Sequence, residues 1–243
     1  MQPTAILSAL WQEQHGLISL LQQPRKVTHA GRDFWLGHLH GRSVVLGLSK
    51  IGKVAAATTS AALIEHFGVG RIVFTGVAGG LGAGVSVGDV VVATDFMQHD
   101  LNVWPLFARY EVPLYGKTCF ASDAQLTALL LQAASGALTN TLAVPGARLH
   151  QGLIASGDRF VSGAEESAAL KAALATAGHE ALAVEMECAA VAQVCHDYGT
   201  PFAAVRTISD RADDSAPIDF SSFVEQVASR YTRAIIENLL RLL

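Results

Sequence analysis

The chain is poor in charged residues and in cysteine. Of its 243 residues, 16% are Asp, Glu, Lys or Arg, the formal net charge is -4, and three residues are cysteine. A small negative charge gives no general attraction to phosphate backbones or anionic lipid, so nucleic acids and membrane surfaces are not expected as partners. The spacing of Cys119, Cys188 and Cys195 matches neither a disulfide framework nor a CxxC site. Cys188 and Cys195 share one face of a predicted helix and are interpreted as core thiols.

Long apolar runs are also missing. No apolar segment is long enough to cross a bilayer, and the stretch MQPTAILSALWQEQHG has neither a basic leader nor a small-residue cleavage pattern. These absences predict a cytoplasmic location. What the chain does have is 51% hydrophobic residues, enough at this length to bury roughly 70–75% of the surface that the unfolded chain exposes. The simplest expectation is one globular domain over residues 1–243.

Short β-rich runs alternate with helical patterns, which is typical of an α/β fold. The runs that predict strands are TAILSAL, SVVLGLS, RIVFTGVA, DVVVATDF, HQGLIASGD and PFAAVRTISD. Helical patterns cover KVAAATTSAALIEHF, EMECAAVAQVCHDY and residues 220–242, and Gly68 and Gly199 follow the first two as C-cap residues. We therefore predict a three-layer α/β/α fold with a central mixed sheet.

The segment 100–120 contains aromatic residues and prolines but shows no clear period. We predict a loop that packs against another surface, and a second subunit is one candidate for that surface.

Polar residues stand at the ends of several predicted strands. Glu13 follows the first strand, TGVAGG ends the third, and SGDRF and ISD end two later strands. In an open α/β sheet the C-terminal strand ends share one edge, and ligands bind there. The sequence therefore predicts that these polar groups converge on one crevice.

Three familiar motifs are incomplete. The stretch GLSKIGKV resembles a phosphate-binding P-loop but has Val54 where a Mg²⁺-binding hydroxyl is required, so a strand turning through Gly52 into a helix is the better interpretation. The stretch GVSVG matches the esterase pattern GxSxG, but Ser86 precedes a strand instead of a helix, which indicates a turn. The glycines from 76 to 88 do not form GxGxxG, so a dinucleotide fold is not supported.

Four ionisable residues form a coherent set at the predicted crevice. Asp210 ends an apolar strand, and Arg206 lies on the same face of that strand, where we expect it to pair with Glu13. Glu187, at the start of a helix, is suited to binding paired hydroxyl groups such as those of a ribose. One carboxylic acid that protonates a leaving group and one carboxylate that activates water are the minimum for hydrolysing a glycosidic bond. Glu185 is interpreted as a cap or surface carboxylate at the helix start.

The chain resembles a known family in the order of its motifs. The segments TGVAGGL, GLIASGDRFV, AVEMECAAVAQVC and FAAVRTISDRADD, together with KIGKVAAA and SALWQE, are similar to successive motifs of the 5′-methylthioadenosine/S-adenosylhomocysteine nucleosidases, members of the nucleoside phosphorylase superfamily. The resemblance covers nearly the whole chain, and EME followed by RxISD is its most specific element. It implies an N-ribosyl hydrolase that releases adenine and a thioribose, and a homodimer that needs no metal or cofactor.

The same resemblance implies roles for individual residues. Asp210, held by Ser209, would protonate adenine at N7, and Glu13, oriented by Arg206, would accept a proton from the attacking water. The other residues implied to contact the nucleoside are Glu187 and Met186 at the ribose, Phe160 and the Val161 backbone at the purine, Val77, Ala78 and Gly79 at the strand end, Leu10, Ile51 and Phe220 around the 5′-thio substituent, and Pro113 from a second subunit.

Some positions depart from the family pattern. Val77 stands where many relatives have a Ser that helps to hold the nucleophilic water. Trp11 and Gln12 replace acidic residues, and Cys188 occupies a position that is usually small. These changes concern substrate preference and rate more than the class of reaction.

Three alternatives to this function stay open. A phosphorylase of the same superfamily would use phosphate in place of water, but the early loop has Glu13 and no Arg, so a dianion would be repelled there. A nucleosidase for aminodeoxyfutalosine or another futalosine-type nucleoside would differ in the 5′ pocket. A non-catalytic protein on the same fold would bind the nucleoside and leave it intact.

Overall fold

The computed structural model describes residues 2–139, 144–213 and 216–243. The strands of this part of the chain are β1 (Thr4–Ser8), β2 (Gln22–His29), β3 (Arg32–Leu39), β4 (Arg42–Leu48), β5 (Arg71–Gly80), β6 (Val90–Gln98), β7 (Cys119–Ala121), β8 (Leu149–Ser156), β9 (Ala181–Glu185) and β10 (Phe202–Asp210). Its helices are α1 (Trp11–Ile18), α2 (Lys53–Glu65), α3 (Ala124–Leu138), α4 (Ala164–Thr176), α5 (Cys188–Tyr198), α6 (Ala216–Phe223) and α7 (Ser229–Leu242). A π-helical turn, Val224–Ala228, joins α6 to α7.

All of these strands belong to one mixed sheet. Strand β5 is central, because it pairs in parallel with β1 and β10 and antiparallel with β9. Strand β10 continues to β6, β6 to β8, and β8 to β9. Since β9 returns to β5, these five strands close into a ring, while β1, β4, β3 and β2 extend from it as an open sheet.

Helices cover both faces of the sheet. Phe74 of β5 packs with Leu63 of α2 and Val191 of α5, whereas the preceding residue, Val73, packs on the opposite face with Ile236 of α7. Successive strand residues point to opposite faces, so a strand buried along its length must be covered twice. The predicted α/β/α architecture with a mixed sheet is confirmed, and the closure of five strands into a ring is an addition to it.

The predicted strands correspond to β1, β4, β5, β6, β8 and β10, and the predicted helices to α2, α5 and the α6–α7 segment. Gly199 ends α5 in the left-handed conformation with a φ of 63°, and Cys188 and Cys195 are buried in that helix. Gly52 precedes α2 with a φ of 97°, as the interpretation of GLSKIGKV requires. The GVSVG stretch is a turn before β6, with positive φ at Gly84 and Gly88.

The hairpin of β2 and β3, the short strands β7 and β9, and the helices α1, α3 and α4 were not predicted. Strand β2 is exposed along most of its length and contains Pro24, so it lacks the apolar alternation by which a strand is recognised. Strand β9 ends at Glu185, and the helical pattern that we began at this residue starts at Cys188 instead. No helix among the described residues is both long enough and apolar enough to cross a membrane.

Candidate active site

A cavity of about 470 Å³ lies where β1, β5, β9 and β10 end. The residues predicted for the site that line it are Leu10, Glu13, Ile51, Val77, Ala78, Gly79, Phe160, Met186, Glu187, Ser209, Asp210 and Phe220. Val161 lines a small adjoining pocket, and Arg206 is buried beneath the site. Pro113 lies outside the cavity, in the turn between Val112 and Lys117, and its role from a second subunit stays a prediction.

Glu13 is held in one orientation by the backbone. It lies in the first turn of α1 and is 2% exposed. Its Oε2 accepts hydrogen bonds from the N–H groups of Ala9 at 2.9 Å and Leu10 at 2.8 Å, and its Oε1 accepts one from Val77 at 3.0 Å. Burial raises the pKa of Glu13, and the charge of Arg206 and the three N–H groups act against that rise. A fixed carboxylate with a raised pKa is suited to the role of a general base.

Asp210 is positioned by an irregularity in β10. The pairing of β10 with β5 shifts register between Ile208 and Asp210, as at a β-bulge, which re-aims side chains. Both Ser209 and Asp210 therefore face the cavity, which regular alternation would not allow. The Oδ2 of Asp210 accepts a hydrogen bond from the Ser209 hydroxyl at 2.8 Å, and its Oδ1 accepts one from the Ala212 N–H at 2.8 Å.

Two glycines of β5 allow these acids to approach the backbone. A Cβ on Gly79 would lie 2.9 Å from Oδ1 of Asp210, and a Cβ on Gly76 would lie 2.7 Å from Oε1 of Glu13 and 2.5 Å from Nη1 of Arg206. Real Cβ atoms do not approach so closely. The TGVAGG stretch thus supplies space for the neighbouring side chains.

The predicted pairing of Arg206 with Glu13 is wrong. The Nη2 of Arg206 donates to Glu185, lies 3.6 Å from Oε2 of Glu187, and contacts Sγ of Cys188 at 3.2 Å. Glu13 is not within ion-pair distance of Arg206, although the guanidinium charge opposes the rise in the pKa of Glu13. The sequence showed that Arg206 needed a carboxylate and could not show which of the neighbouring acids is nearest.

Glu185 is the residue that the sequence interpretation underestimated. It caps the start of α5, as expected, by accepting the N–H groups of Glu187 at 3.1 Å and Cys188 at 3.0 Å. It is 6% exposed, however, and so is not a surface carboxylate. It also accepts the hydroxyl of Ser156 from the end of β8. The available signal was its position in the apolar run AVEMECAAV, because a buried acid in such a run requires a partner.

Glu187 differs electrostatically from Glu185 although both are buried. Burial would raise the pKa of Glu185, but Arg206 and the hydrogen bonds from Ser156 and the backbone lower it. Burial and the charge of Glu185 raise the pKa of Glu187 to about 8, against the attraction of Arg206 and the Gly52 N–H. Glu185 is therefore the ionised partner of Arg206, and the raised pKa of Glu187 favours a protonated carboxyl group that can donate to a ligand oxygen.

The rim of the cavity is apolar. Phe160 is 44% exposed, and its ring centroid lies 5.5 Å from that of Phe220 with the planes at 67°. Ile51 is 55% exposed and lines the same cavity as Leu10. An aromatic rim above a floor of carboxyl groups suits a ligand with a flat ring and a hydroxylated portion.

The chain belongs to the Phosphorylase superfamily, whose family model matches residues 3–241. The 5′-methylthioadenosine/S-adenosylhomocysteine nucleosidase of Actinobacillus succinogenes is 37% identical over 238 residues, which are 98% of each sequence. The structure of the nucleosidase of that name from Neisseria meningitidis, in complex with methylthio-immucillin-A, is 36% identical, with full coverage of both chains and a TM-score of 0.90. The corresponding Colwellia psychrerythraea enzyme, in complex with adenine, is 32% identical over 99% of this chain and 95% of that one, with a TM-score of 0.89. Within the superfamily the chain belongs to the 5′-methylthioadenosine/S-adenosylhomocysteine nucleosidase family, and the predicted resemblance is confirmed.

Proposed function

We propose that this protein hydrolyses the N-glycosidic bond of 5′-methylthioadenosine and S-adenosylhomocysteine, giving adenine and the corresponding 5-thio-substituted ribose. The observation that carries the proposal is that Glu13 and Asp210 line one cavity and that hydrogen bonds from the backbone orient each carboxyl group. An acid and a base held on one ligand are what glycosidic hydrolysis requires.

In this mechanism Asp210 protonates N7 of adenine, which makes the base a neutral leaving group as the C–N bond breaks. The ribose acquires oxocarbenium character, and Glu13 removes a proton from the water that attacks the anomeric carbon. Glu187 hydrogen-bonds the ribose hydroxyls and Met186 packs against the sugar. Phe160 stacks on the purine, while the Val161 backbone contacts its edge.

The 5′ substituent would lie among Leu10, Ile51 and Phe220. Leu10 and Phe220 also pack against the apolar cluster of Val77 and Phe223, so this end of the cavity favours a thioether over a charged group. A futalosine-type nucleoside, which differs from these substrates in its 5′ substituent, is the second candidate substrate.

Water is favoured over phosphate as the nucleophile. The cavity lining includes Glu13, Glu185, Glu187 and Asp210, and within the described residues it contains no Lys or Arg. A phosphate dianion needs several cationic or N–H donors, and the described lining supplies no cationic side chain for it.

Adenine release measured in phosphate-free buffer tests the proposal. We expect adenine release from 5′-methylthioadenosine and S-adenosylhomocysteine with no gain in rate on adding phosphate, and slower release of hypoxanthine from inosine and of the base from futalosine-type nucleosides. Strict dependence on phosphate would identify a phosphorylase instead. Binding of these nucleosides by calorimetry, with all of them intact after hours, would identify a non-catalytic binding protein.

Val77 provides a test of the water site. Its N–H holds Glu13 at 3.0 Å, so a hydroxyl on its Cβ would lie beside the proposed base. We expect Val77→Ser to raise kcat/KM about three- to tenfold, the value of one added hydrogen bond. Val77→Ala removes the same packing against Phe223 and Val224 without adding a hydroxyl, and should give no gain. Equal rates for the two variants would show that this position does not contact the water.

We further propose that residues 1–243 form one domain and that the protein is a homodimer with segment 100–120 at the interface. Strands from both ends of the chain, β1 and β10, flank β5 in the same sheet, which supports one domain. Trp104, Leu106 and Leu114 are 74%, 79% and 91% exposed, and such an apolar surface favours burial against another chain.

A further inference from the structure

The carboxyl group of Glu187 is oriented from outside the cavity. The N–H of Gly52, in the loop between β4 and α2, donates to its Oε1 at 2.9 Å. Arg206 lies on the other side, 3.6 Å from its Oε2. The direction in which Glu187 faces a ligand therefore depends on where the loop holds the Gly52 peptide.

A charged cluster fixes that loop. The N–H of Lys53 donates to Oδ1 of Asp158 at 2.9 Å, and its ammonium group is ion-paired with Asp100 and lies 3.8 Å from Oδ2 of Asp158. Asp158 in turn donates its N–H to Oδ2 of Asp100 at 2.8 Å. This Lys53–Asp100–Asp158 cluster joins the loops that follow β4, β6 and β8.

The cluster lies beside Gly52. A Cβ on Gly52 would lie 3.3 Å from Oδ1 of Asp158, the same oxygen that accepts the N–H of Lys53. Gly52 also has a φ of 97°, a conformation that side-chain-bearing residues rarely adopt. The peptide groups on both sides of Gly52 are thus held, one by Asp158 and one by Glu187.

The ion pair in the cluster is more protected than an ordinary surface pair. The side chain of Lys53 is 16% exposed and that of Asp100 is 28% exposed. Burial would raise the pKa of Asp100, but Lys53 and the N–H of Asp158 outweigh it and lower the pKa, so Asp100 is ionised at neutral pH. By contrast, Lys26 and Asp33, on the β2–β3 hairpin, form an ion pair with side chains that are 49% and 48% exposed.

We propose that Asp100 is a positioning residue that acts through Lys53, Asp158 and the Gly52 peptide to aim Glu187 at the ribose hydroxyls. The proposal rests on the hydrolase function above and deepens it, because it assigns the selection of ribose over deoxyribose to a cluster that does not line the cavity. Neither Asp100 nor Asp158 has to touch the ligand for this selection.

The test is the ratio of kcat/KM for 5′-methylthioadenosine to that for its 3′-deoxy analogue. Asp100→Ala should reduce this ratio about tenfold, mainly through a higher KM for the ribonucleoside, because an aimed hydrogen bond to the hydroxyl is lost. Asp33→Ala, which breaks the exposed pair, is the matched control and should leave the ratio unchanged. An equal loss for both nucleosides would mean that Asp100 supports only the loop, and would overturn the proposal.

A double-mutant cycle with Glu187→Gln tests the route of the effect. If Asp100 acts through Glu187, Asp100→Ala should change the ratio less than about twofold in the Glu187→Gln background. The same tenfold change in both backgrounds would refute that route. Asp100→Asn, which keeps the shape and one acceptor, provides the measurement if thermal unfolding shows that the alanine variant does not fold.

Failure of the function and failure of this inference are distinguishable. If the wild-type protein releases no adenine, the hydrolase proposal is wrong. The inference is then tested with the ratio of the calorimetric affinities for 5′-methylthioadenosine and its 3′-deoxy analogue in place of the ratio of kcat/KM values. A ratio that stays at the wild-type value in Asp100→Ala overturns the inference in either measurement.

Discussion

Replacing Asp210 by asparagine should lower the rate of adenine release about 10²- to 10⁴-fold, the contribution of a general acid, while nucleoside affinity is retained. Asparagine fits the site, because its carbonyl oxygen can accept the Ala212 N–H and its amide can donate to the Ser209 oxygen. The Ser209 hydroxyl hydrogen can then turn to the carbonyl oxygen of Ala78, which lies 3.4 Å away. The substitution thus removes the transferable proton while these two hydrogen bonds can still form.

Single-turnover kinetics with 5′-methylthioadenosine, alongside calorimetric binding, measure this effect. A ribosyl substrate with a nitrophenolate leaving group is the control, since it departs without protonation and should be cleaved similarly by wild type and variant. Ser209→Ala should cost much less than Asp210→Asn, because it removes only one of the hydrogen bonds that hold the acid. Unchanged adenine release by Asp210→Asn would remove Asp210 from the acid role.

Glu13→Gln should lower hydrolysis by a similar factor, about 10²- to 10⁴-fold, because an amide cannot accept the proton of the attacking water. Three backbone N–H groups point at the carboxylate. A glutamine that turns its oxygen to Ala9 and Leu10 would direct its NH₂ group at the N–H of Val77, so some loss of stability should accompany the loss of rate.

Azide separates these two effects. It attacks without a general base, so adding azide should restore adenine release in Glu13→Gln and should give little gain in the wild-type protein. Denaturant unfolding of both proteins measures the structural cost independently. A variant that stays folded, binds the nucleoside and is not rescued by azide would argue against the base role.

The raised pKa of Glu13 also predicts the pH profile. The base works only as a carboxylate, so kcat/KM should fall as the pH drops through its pKa, and this acid limb should lie above 4.5, the ordinary value for glutamate. The effect of pH on stability runs in the opposite direction to its effect on activity. The folded state binds this proton more tightly than the unfolded state does. The contribution of Glu13 to stability is therefore present at low pH and is lost as the pH rises through the raised pKa. An acid limb at or below 4.5 would contradict the burial of the base.

Much of the layout of the site could be predicted from the sequence. The runs TAILSAL, RIVFTGVA and PFAAVRTISD predicted strands with Glu13, TGVAGG and ISD at their ends, and the geometry of parallel strands places such ends at one edge. The cavity is found there. The hairpin of β2 and β3 lay beyond this reasoning because its exposed strand buries no periodic apolar face.

The ion pairs could not be predicted in the same way. The sequence offers Glu13, Glu185 and Glu187 as possible partners for Arg206, and alternation along a strand gives a face but no distance. Whether a buried acid is charged depends on separations of a few ångströms in a medium of low dielectric constant. Because of those separations, the guanidinium group of Arg206 pairs most closely with Glu185, and the pKa of Glu187 is raised to about 8.

The resemblance to a known family implied the roles of the proposed acid and base, whereas the sequence by itself determined the α/β fold class and the edge at which the polar groups gather. It could do so because hydrophobic periodicity and the ends of strands are local properties of the chain. The tertiary structure alone decided the irregular pairing that turns both Ser209 and Asp210 into the cavity, the partner of Arg206, and the cluster at Lys53 that holds Gly52 against Glu187. Each of these depends on contacts between residues far apart in the chain, and their energies are set by distance and burial, which no local pattern encodes.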